Sequence, residues 1–472
     1  MTSNSEHVSA FERACYHAKK YRTMLTKRQP HKTDDIASLI AAFDEPTPET
    51  GMPGADIIDH LAKYAEPGLL STSGSRFFAW VTGSSNSVGV AADWLTSTWG
   101  QNCANIDCAP SGSAVEAVAA RWLLDLLHLP KESSVGFVSG DTMANFVCLA
   151  AARGEVLRKV GWDADRDGLF GAPPIRVIIG ADAHATVFQA LQYVGLGYGR
   201  VTKIATDDAG RMQVDDFKEK ISQSEEPTIV LLQAGQLNSG AFDPFVEIIK
   251  AAHKQGAWVH VDSAFGLWAR ACPERTALTE GLDFADSWAV DGHKWLQTPY
   301  SSGFAIMRNA EAHRKAMTIA ASYLPAYGPE VREPTHYVPE LSRRATGFAA
   351  WAVIKNLGRE GIAQMVERHC QLASRMAAQL AGVDGIEIMN PVELNQFTVR
   401  FGSHETNEEK DALTTAVIEH ILDEGTCYMN GGQWHGHKVM RVSVISAPTT
   451  EDDADASVQS VIRAWDAVRN SR

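Results

Sequence analysis

The chain has 472 residues, 45% hydrophobic and 21% charged, with a formal net charge of -14 at pH 7. This acidic balance, with no lysine- or arginine-rich run, argues against nucleic acid as a partner, because phosphate backbones are held by basic patches. No apolar stretch is long enough to span a bilayer. The seven cysteines fit a reducing compartment better than a disulfide framework, and the start lacks a basic-then-apolar leader; the expectation is a cytoplasmic protein.

Residues 1–75 read as amphipathic helices, with apolar positions at helical spacing in "IASLIAAF" and "IIDHLAKYA" and a break at "EPTPETGMPG". They serve either as a flexible leader or as helices packed on a partner chain. From about 130 to 310, short β-branched runs ("VGFVSG", "IRVIIG", "RVTKIA", "TIVLLQAG", "AWVHVD", "DSWAVD", "GFAIMR") alternate with helix-period segments. That alternation predicts a large α/β domain over 76–345, a mostly parallel central sheet with helices on both faces. Over 346–472 a long helical pattern precedes "GIEIMN", "QFTVRFG" and "KVMRVSVIS", which predict a smaller C-terminal α+β domain.

Ligands of parallel sheets gather at the carboxyl ends of strands, so the residues just after each run matter most. "FVSGDTMANF" places Ser139, Gly140, Asp141 and Thr142 where a strand meets a helix. Free N–H groups and the helix dipole there suit a phosphate, although plain capping by Asp141 or Thr142 explains the turn equally. His184 opens another strand–helix junction, as cap or catalyst. Asp262 ends the apolar run "WVHVD" and is expected to be buried, hence paired. Lys294 in "AVDGHKWLQTP" is either a lysine reaching solvent or a shielded amine whose pKa desolvation lowers, ready to form a Schiff base. An anion cup, a ring-covering histidine, a buried acid and a shielded lysine are together what pyridoxal phosphate requires. His435 and His437 lack a third ligand at suitable spacing, so no metal is expected.

From about "SRFFAWVTGSSNSVGVAADWL" to "MRVSVISAPTTEDD" the chain resembles the group II pyridoxal-phosphate-dependent amino-acid decarboxylases, most specifically in "HVDSAF", "ADSWAVDGHKW" and "NSGAFDP". The resemblance implies the fold type I architecture of the aspartate aminotransferase class. It also implies decarboxylation of an L-amino acid to the amine through an external aldimine and a quinonoid. By the same resemblance Lys294 carries the cofactor, His293 touches the phosphate, and Asp262 holds the pyridine nitrogen. Ala264 and His184 cover the two ring faces, His184 also assisting protonation. Gly140, Asp141 and Thr142 form the phosphate turn, with Ser139, Asn238 and Asp291 close by. The carboxylate of Asp141 is expected to point away from the phosphate, and Asp291 has no evident partner.

The resemblance further implies a homodimer clasped by the N-terminal helices, and a loop tyrosine acting as acid: Tyr323, Tyr327 or Tyr337, with Tyr337 preferred. The pocket is expected to draw on Phe78 and Trp80 and on "GQNCANIDCAP", where Asn102, Ala104 and Ile106 in place of bulky apolar residues suit a polar or acidic substrate side chain, with Arg344 available for a carboxylate. Packing roles for these residues remain open. So do other outcomes on the same fold: aldehyde-forming oxidative deamination, carbon–carbon lyase chemistry, transamination, or a catalytically silent binding protein.

Overall fold

Seven of the apolar runs form one sheet in the computed structural model, which describes residues 4–25, 27–30, 33–318 and 331–471. The strands are β1 (Ser134–Val138), β2 (Arg176–Gly180), β3 (Thr202–Ile204), β4 (Thr228–Gln233), β5 (Trp258–Asp262), β6 (Ser287–Asp291) and β7 (Gly303–Met307). Their order is β1-β7-β6-β5-β4-β2-β3. The neighbours from β3 through β6 run parallel, while β7 is antiparallel to both β6 and β1. Successive side chains point to opposite faces: Ile178 and Leu232 enter one core, Ile179 and Leu231 the other. Both faces are covered, which is why these strands read as unbroken apolar runs rather than alternating ones.

A second sheet, β10-β11-β9-β8, is antiparallel throughout; its strands are β8 (Ile386–Ile388), β9 (Gln396–Phe401), β10 (Asn430–Trp434) and β11 (His437–Ser443). The helices beside it, Asn407–Glu424 and Glu451–Asn470, each start in a reciprocal capping box, Thr406 with Glu409 and Thr450 with Asp453. Strand β10 is absent from the sequence reading. Its two-glycine start hides the strand pattern, and the turn His435-Gly436, both at positive φ, makes the tight hairpin.

The expected boundaries near 76 and 346 are not clean cuts. Helix Gly347–Ala381 spans both cores, with Ala350 and Val353 in the large one and Met376 and Leu380 in the small one. Gly358, at φ 63, breaks its helical backbone between the two. Earlier in the chain, Phe78 N–H donates to the Tyr428 carbonyl and Ser443 N–H to the Phe78 carbonyl, so this segment joins the small unit. At the N-terminus, Arg13 and His17 of helix Asn4–Met24 both bond Asp59 of helix Gly54–Ala65. Among the described residues no helix is long and apolar enough to cross a membrane.

Candidate active site

The carboxyl ends of β2, β4, β5 and β6 converge on one cavity of about 180 Å³, lined by Lys294, Asp262, His184 and Ala264 and walled by Trp80, Phe265 and Arg441. The run Trp258–Asp262 carries Asp262 inward to 6% exposure, where the Ala264 N–H reaches its Oδ1 at 3.4 Å. Burial raises its pKa, with His184 and Lys294 pulling the other way. His184 is the N-cap of helix Ala185–Tyr193. Its Nδ1 takes the Thr186 N–H and its own N–H donates to Gln233 Oε1. Burial lowers its pKa more than Asp262 restores it, so the ring is neutral and its proton sits on Nε2.

Lys294 differs from the shielded, deprotonated amine expected. Its Nζ lies 3.1 Å from Asp291 Oδ2. Burial pulls its pKa down, but Asp291, Asp141 and Asp262 outweigh it and hold the ammonium above the usual range. Asp291, 2% exposed, thereby has its partners: Lys294, His293 Nε2 at 3.3 Å, and the Asp141 N–H at 2.7 Å. His293 Nδ1 accepts the Ser302 N–H, so Nε2 carries the proton toward Asp291. Tyr300 stacks on the His293 ring at 4.3 Å, a neighbour the sequence reading missed. Behind the lysine the chain approaches so closely that a Cβ on Gly83 would collide with the Lys294 and His293 carbonyl oxygens.

Pyridoxal phosphate fits this donor set. Gly140 is the N-cap of helix Asp141–Arg158 with no side-chain cap, and a Cβ there would come within 2.9 Å of the His293 ring. The first N–H is taken by Asp291; the following two belong to Thr142 and Met143 and point out of the helix start as anion donors do. Ser139 is exposed and Thr142 half-buried at this turn. Lys294, Asp262, His184 and Ala264 lie in the adjoining cavity.

Other expected site residues lie elsewhere. The Phe78 ring is in the small-unit core, because its backbone pairs with Tyr428 and Ser443. Asn102 accepts from the Arg343 N–H, Ala104 is buried with its carbonyl on the Thr335 N–H, and neither lines the cavity. Arg344 is spent on Asp93 and Ser97, and Arg343 on buried Glu116. Tyr337 sits in the turn Pro334–Tyr337 against His313, its ring 5.1 Å away, on the flank of β1 rather than in the cavity; Tyr323 and Tyr327 lie outside the described residues. Asn238 is held by Gln236 beside Gly432 of the small sheet, apart from the phosphate turn. Asp141, expected to point away from the phosphate, is buried with the Asn145 amide on its Oδ2 and with Asp262 and Asp291 as the acids acting on it.

Arg441 is the cavity residue that the sequence reading missed. It is 8% exposed, its Nη2 donates to the Leu237 carbonyl, and its buried Nε has no partner. No carboxylate pairs with it among the described residues, and burial alone pushes its pKa down to about 10. The sequence signal was an arginine at a period-two position within the apolar strand "KVMRVSVIS", where a charge needs a reason.

The model of the pyridoxal-dependent decarboxylase conserved domain matches residues 37–402. The aromatic-L-amino-acid decarboxylase of Bacillus atrophaeus is 25% identical over 438 residues, 91% of this chain and 89% of the relative. The 4-hydroxyphenylacetaldehyde synthase of Rhodiola rosea is 25% identical over 412 residues, 84% and 82% of the two chains. In fold, the chain matches the Oryza sativa TDC crystal structure with PLP and tryptamine at TM-score 0.91 and 20% identity, covering 98% of each chain. The lysine, the buried aspartate and the glycine-led helix start thus sit in a chain that belongs to the group II pyridoxal-dependent decarboxylases, fold type I enzymes whose cofactor is pyridoxal 5'-phosphate.

Proposed function

We propose that this enzyme decarboxylates an L-amino acid carrying an acidic side chain, releasing the amine and carbon dioxide. The observation that carries the reading is Arg441, a buried cation with no carboxylate partner among the described residues, in the same cavity as Lys294 and Asp262. An unpaired buried charge is costly, and a bound anion relieves that cost. A guanidinium gripping the departing carboxylate would stabilise the ground state over a neutral carbon dioxide product, which opposes the reaction. Arg441 therefore suits a second acid group, on the side chain.

When bound, pyridoxal phosphate supplies the aldehyde that captures the substrate amine and the ring that takes up the electrons of the broken Cα–carboxylate bond. Asp262 would hold the proton of the ring nitrogen, and His184 and Ala264 would cover the two ring faces. Lys294 loses an ammonium proton to become a nucleophile, and Asp291 Oδ2, 3.1 Å away, is the base in place. The departing carboxylate leaves Cα one proton short, and the Nε2–H of neutral His184 or the Lys294 ammonium returns it. Phe265, with Lys294 over its ring at 5.9 Å, and Trp80 keep bulk water from this proton transfer.

Carbon dioxide release over a panel of aspartate, glutamate, cysteine sulfinate and aromatic amino acids tests the reading. An acidic substrate should lead by more than tenfold, and preference for an aromatic one would refute it. Lys294→Ala should abolish visible cofactor absorbance. The aldehyde synthase among the relatives favours a second outcome, oxidation by dioxygen to aldehyde and ammonia, which product analysis distinguishes.

A homodimer fits the N-terminal helices, whose Ile36, Ile40, Ile57 and Leu61 are exposed. Light scattering should give twice the 51.3 kDa chain mass. A cytoplasmic location fits the seven cysteines, all unpaired.

A further inference from the structure

Three carboxyl groups, Asp141, Asp262 and Asp291, face the single ammonium of Lys294 in the interior. Arg441 lines the same cavity but pairs with none of these carboxylates among the described residues, so Lys294 is the one ammonium they share, and a proton on one of the three relieves the excess of negative charge. The hydrogen bonds identify which. Asp291 has Lys294, His293 and a backbone N–H. Asp262 has the Ala264 N–H and faces both Lys294 and His184. Asp141 has one neutral donor, the Asn145 side chain, at 2.8 Å on Oδ2.

A buried relay agrees with the direction of that last bond. Trp258 Nε1–H can only donate, so Ser287 Oγ accepts it at 2.9 Å. His260 is fully buried and neutral, its pKa pushed down to about 3; with its one ring proton on Nε2, facing Asn145 Oδ1, its Nδ1 is free to accept the Ser287 hydroxyl, also at 2.9 Å. His260 Nε2–H donates to Asn145 Oδ1 at 2.7 Å, leaving the Asn145 amide to donate to Asp141 Oδ2. Oδ2 is thereby an acceptor. Asp141 Oδ1 remains buried with no donor, and Asp262 and Asp291 are the neighbouring acids whose charges act on this carboxyl. An orphan oxygen beside another carboxylate is where a proton belongs.

We propose that Asp141 is a neutral carboxylic acid whose Oδ1–H donates to the carboxylate of Asp262, and that it is a positioning residue for the partner of the cofactor's ring nitrogen. Burial, with Asp262 and Asp291 adding to it, drives the Asp141 carboxyl well above the usual range, in keeping with the hydrogen bonds. The residue at the phosphate turn therefore does not bind phosphate. It fixes the orientation of Asp262 without adding charge, and the relay from Trp258 to Asn145 fixes Asp141 in turn. The inference rests on the cofactor and not on the substrate reading, and its test does not depend on turnover.

Infrared difference spectra of the cofactor-free protein, wild type minus Asp141→Asn at pH 7, report the proton directly. A carboxylic-acid C=O band that moves on labelling aspartate with 13C is expected in the wild type and absent in the variant. Its absence from the wild type overturns the proposal. Pyridoxal phosphate affinity, measured by absorbance titration, gives an independent readout. Asp141→Asn, neutral and able to donate, should keep Kd within about threefold of wild type. Asp141→Ala, which leaves Asp262 without its donor, should raise Kd about tenfold or more. If Asn and Ala weaken binding equally, the donated hydrogen bond is not what matters and the proposal fails.

Discussion

Replacing Arg441 with methionine should make the protein more stable and less active, two effects of opposite sign from one side chain. Burial holds its guanidinium down to about 10, a displacement of more than two decades from the usual range. At about 1.4 kcal/mol per decade this is a burden on the order of 3 kcal/mol. Against that, the Leu237 carbonyl loses its donor, which costs about 1 kcal/mol. A net gain of about 1–2 kcal/mol remains for the cofactor-loaded, substrate-free enzyme, a rise of the order of 1–3 °C in Tm for a chain this long. With the proposed acidic substrate the same cation forms a charge-assisted pair, and losing it should lower kcat/KM by about a hundredfold, close to 3 kcal/mol. The two assays are a thermal melt of the substrate-free enzyme and steady-state carbon dioxide release. Arg441→Lys should recover part of the activity, because it keeps the charge without the fork. A variant that melts lower than wild type, or one that retains full kcat/KM on its best substrate, refutes the assignment of Arg441 as an anion receptor.

His313, His369 and His260 are fully buried with pKa values pushed down to about 3. Between about pH 6.5 and 3 the unfolded chain binds protons at these rings and the folded one does not, so stability is complete above the unfolded value and lost as pH falls below it. Each ring contributes a slope of about 1.4 kcal/mol per pH unit, and urea unfolding of His313→Gln between pH 6.5 and 5 should show a dependence shallower by about that amount. Gly83→Ala should abolish cofactor binding while the far-ultraviolet dichroism persists, because its Cβ would collide with the Lys294 and His293 carbonyls; normal cofactor absorbance would show that the approach is not needed. Among the cysteines, Cys108 is exposed while Cys103, Cys148 and Cys427 are buried, and burial pushes the thiol pKa of Cys103 and Cys427 up to about 12 and raises that of Cys148. A thiol reagent should label Cys108 rapidly and those three only after denaturation, and prompt labelling of Cys148 would contradict the packing around the helix Asp141–Arg158.

The large sheet was legible because strands buried on both faces must be apolar throughout, and turn-plus-helix segments separate them. The site was legible where chemistry is local to a strand end: Asp262, Lys294, His184 and the Gly140 turn all come from that rule. What stayed hidden depends on which way a side chain turns. Asp141 was expected to point away from the phosphate, but toward which neighbours was not legible; the fold puts Asn145 on its Oδ2 and Asp262 and Asp291 beside it. Lys294 looked desolvated because its flanks are apolar; that Asp291, three residues before it, and the distant Asp141 and Asp262 turn their carboxyl groups toward its ammonium is visible only in the fold. Arg344 looked like a carboxylate receptor and Arg441 did not; only the fold reveals that Asp93 already occupies the first, and that among the described residues no carboxylate pairs with the second.

The segment from Phe77 to Gly83 acts as a strap. Its first residues are stitched to Tyr428 and Ser443 of the small sheet, Trp80 hangs at the mouth of the cavity, and its glycine lies directly beneath the backbone of Lys294. Any tilt of the small unit is therefore delivered within seven residues to the amine that holds the cofactor. Arg441 rides on that same unit. Arg441 and Ser443, one of the strap's anchors, thus stand two residues apart on one strand, so the cavity's buried cation and the lysine's footing are held by the same sheet.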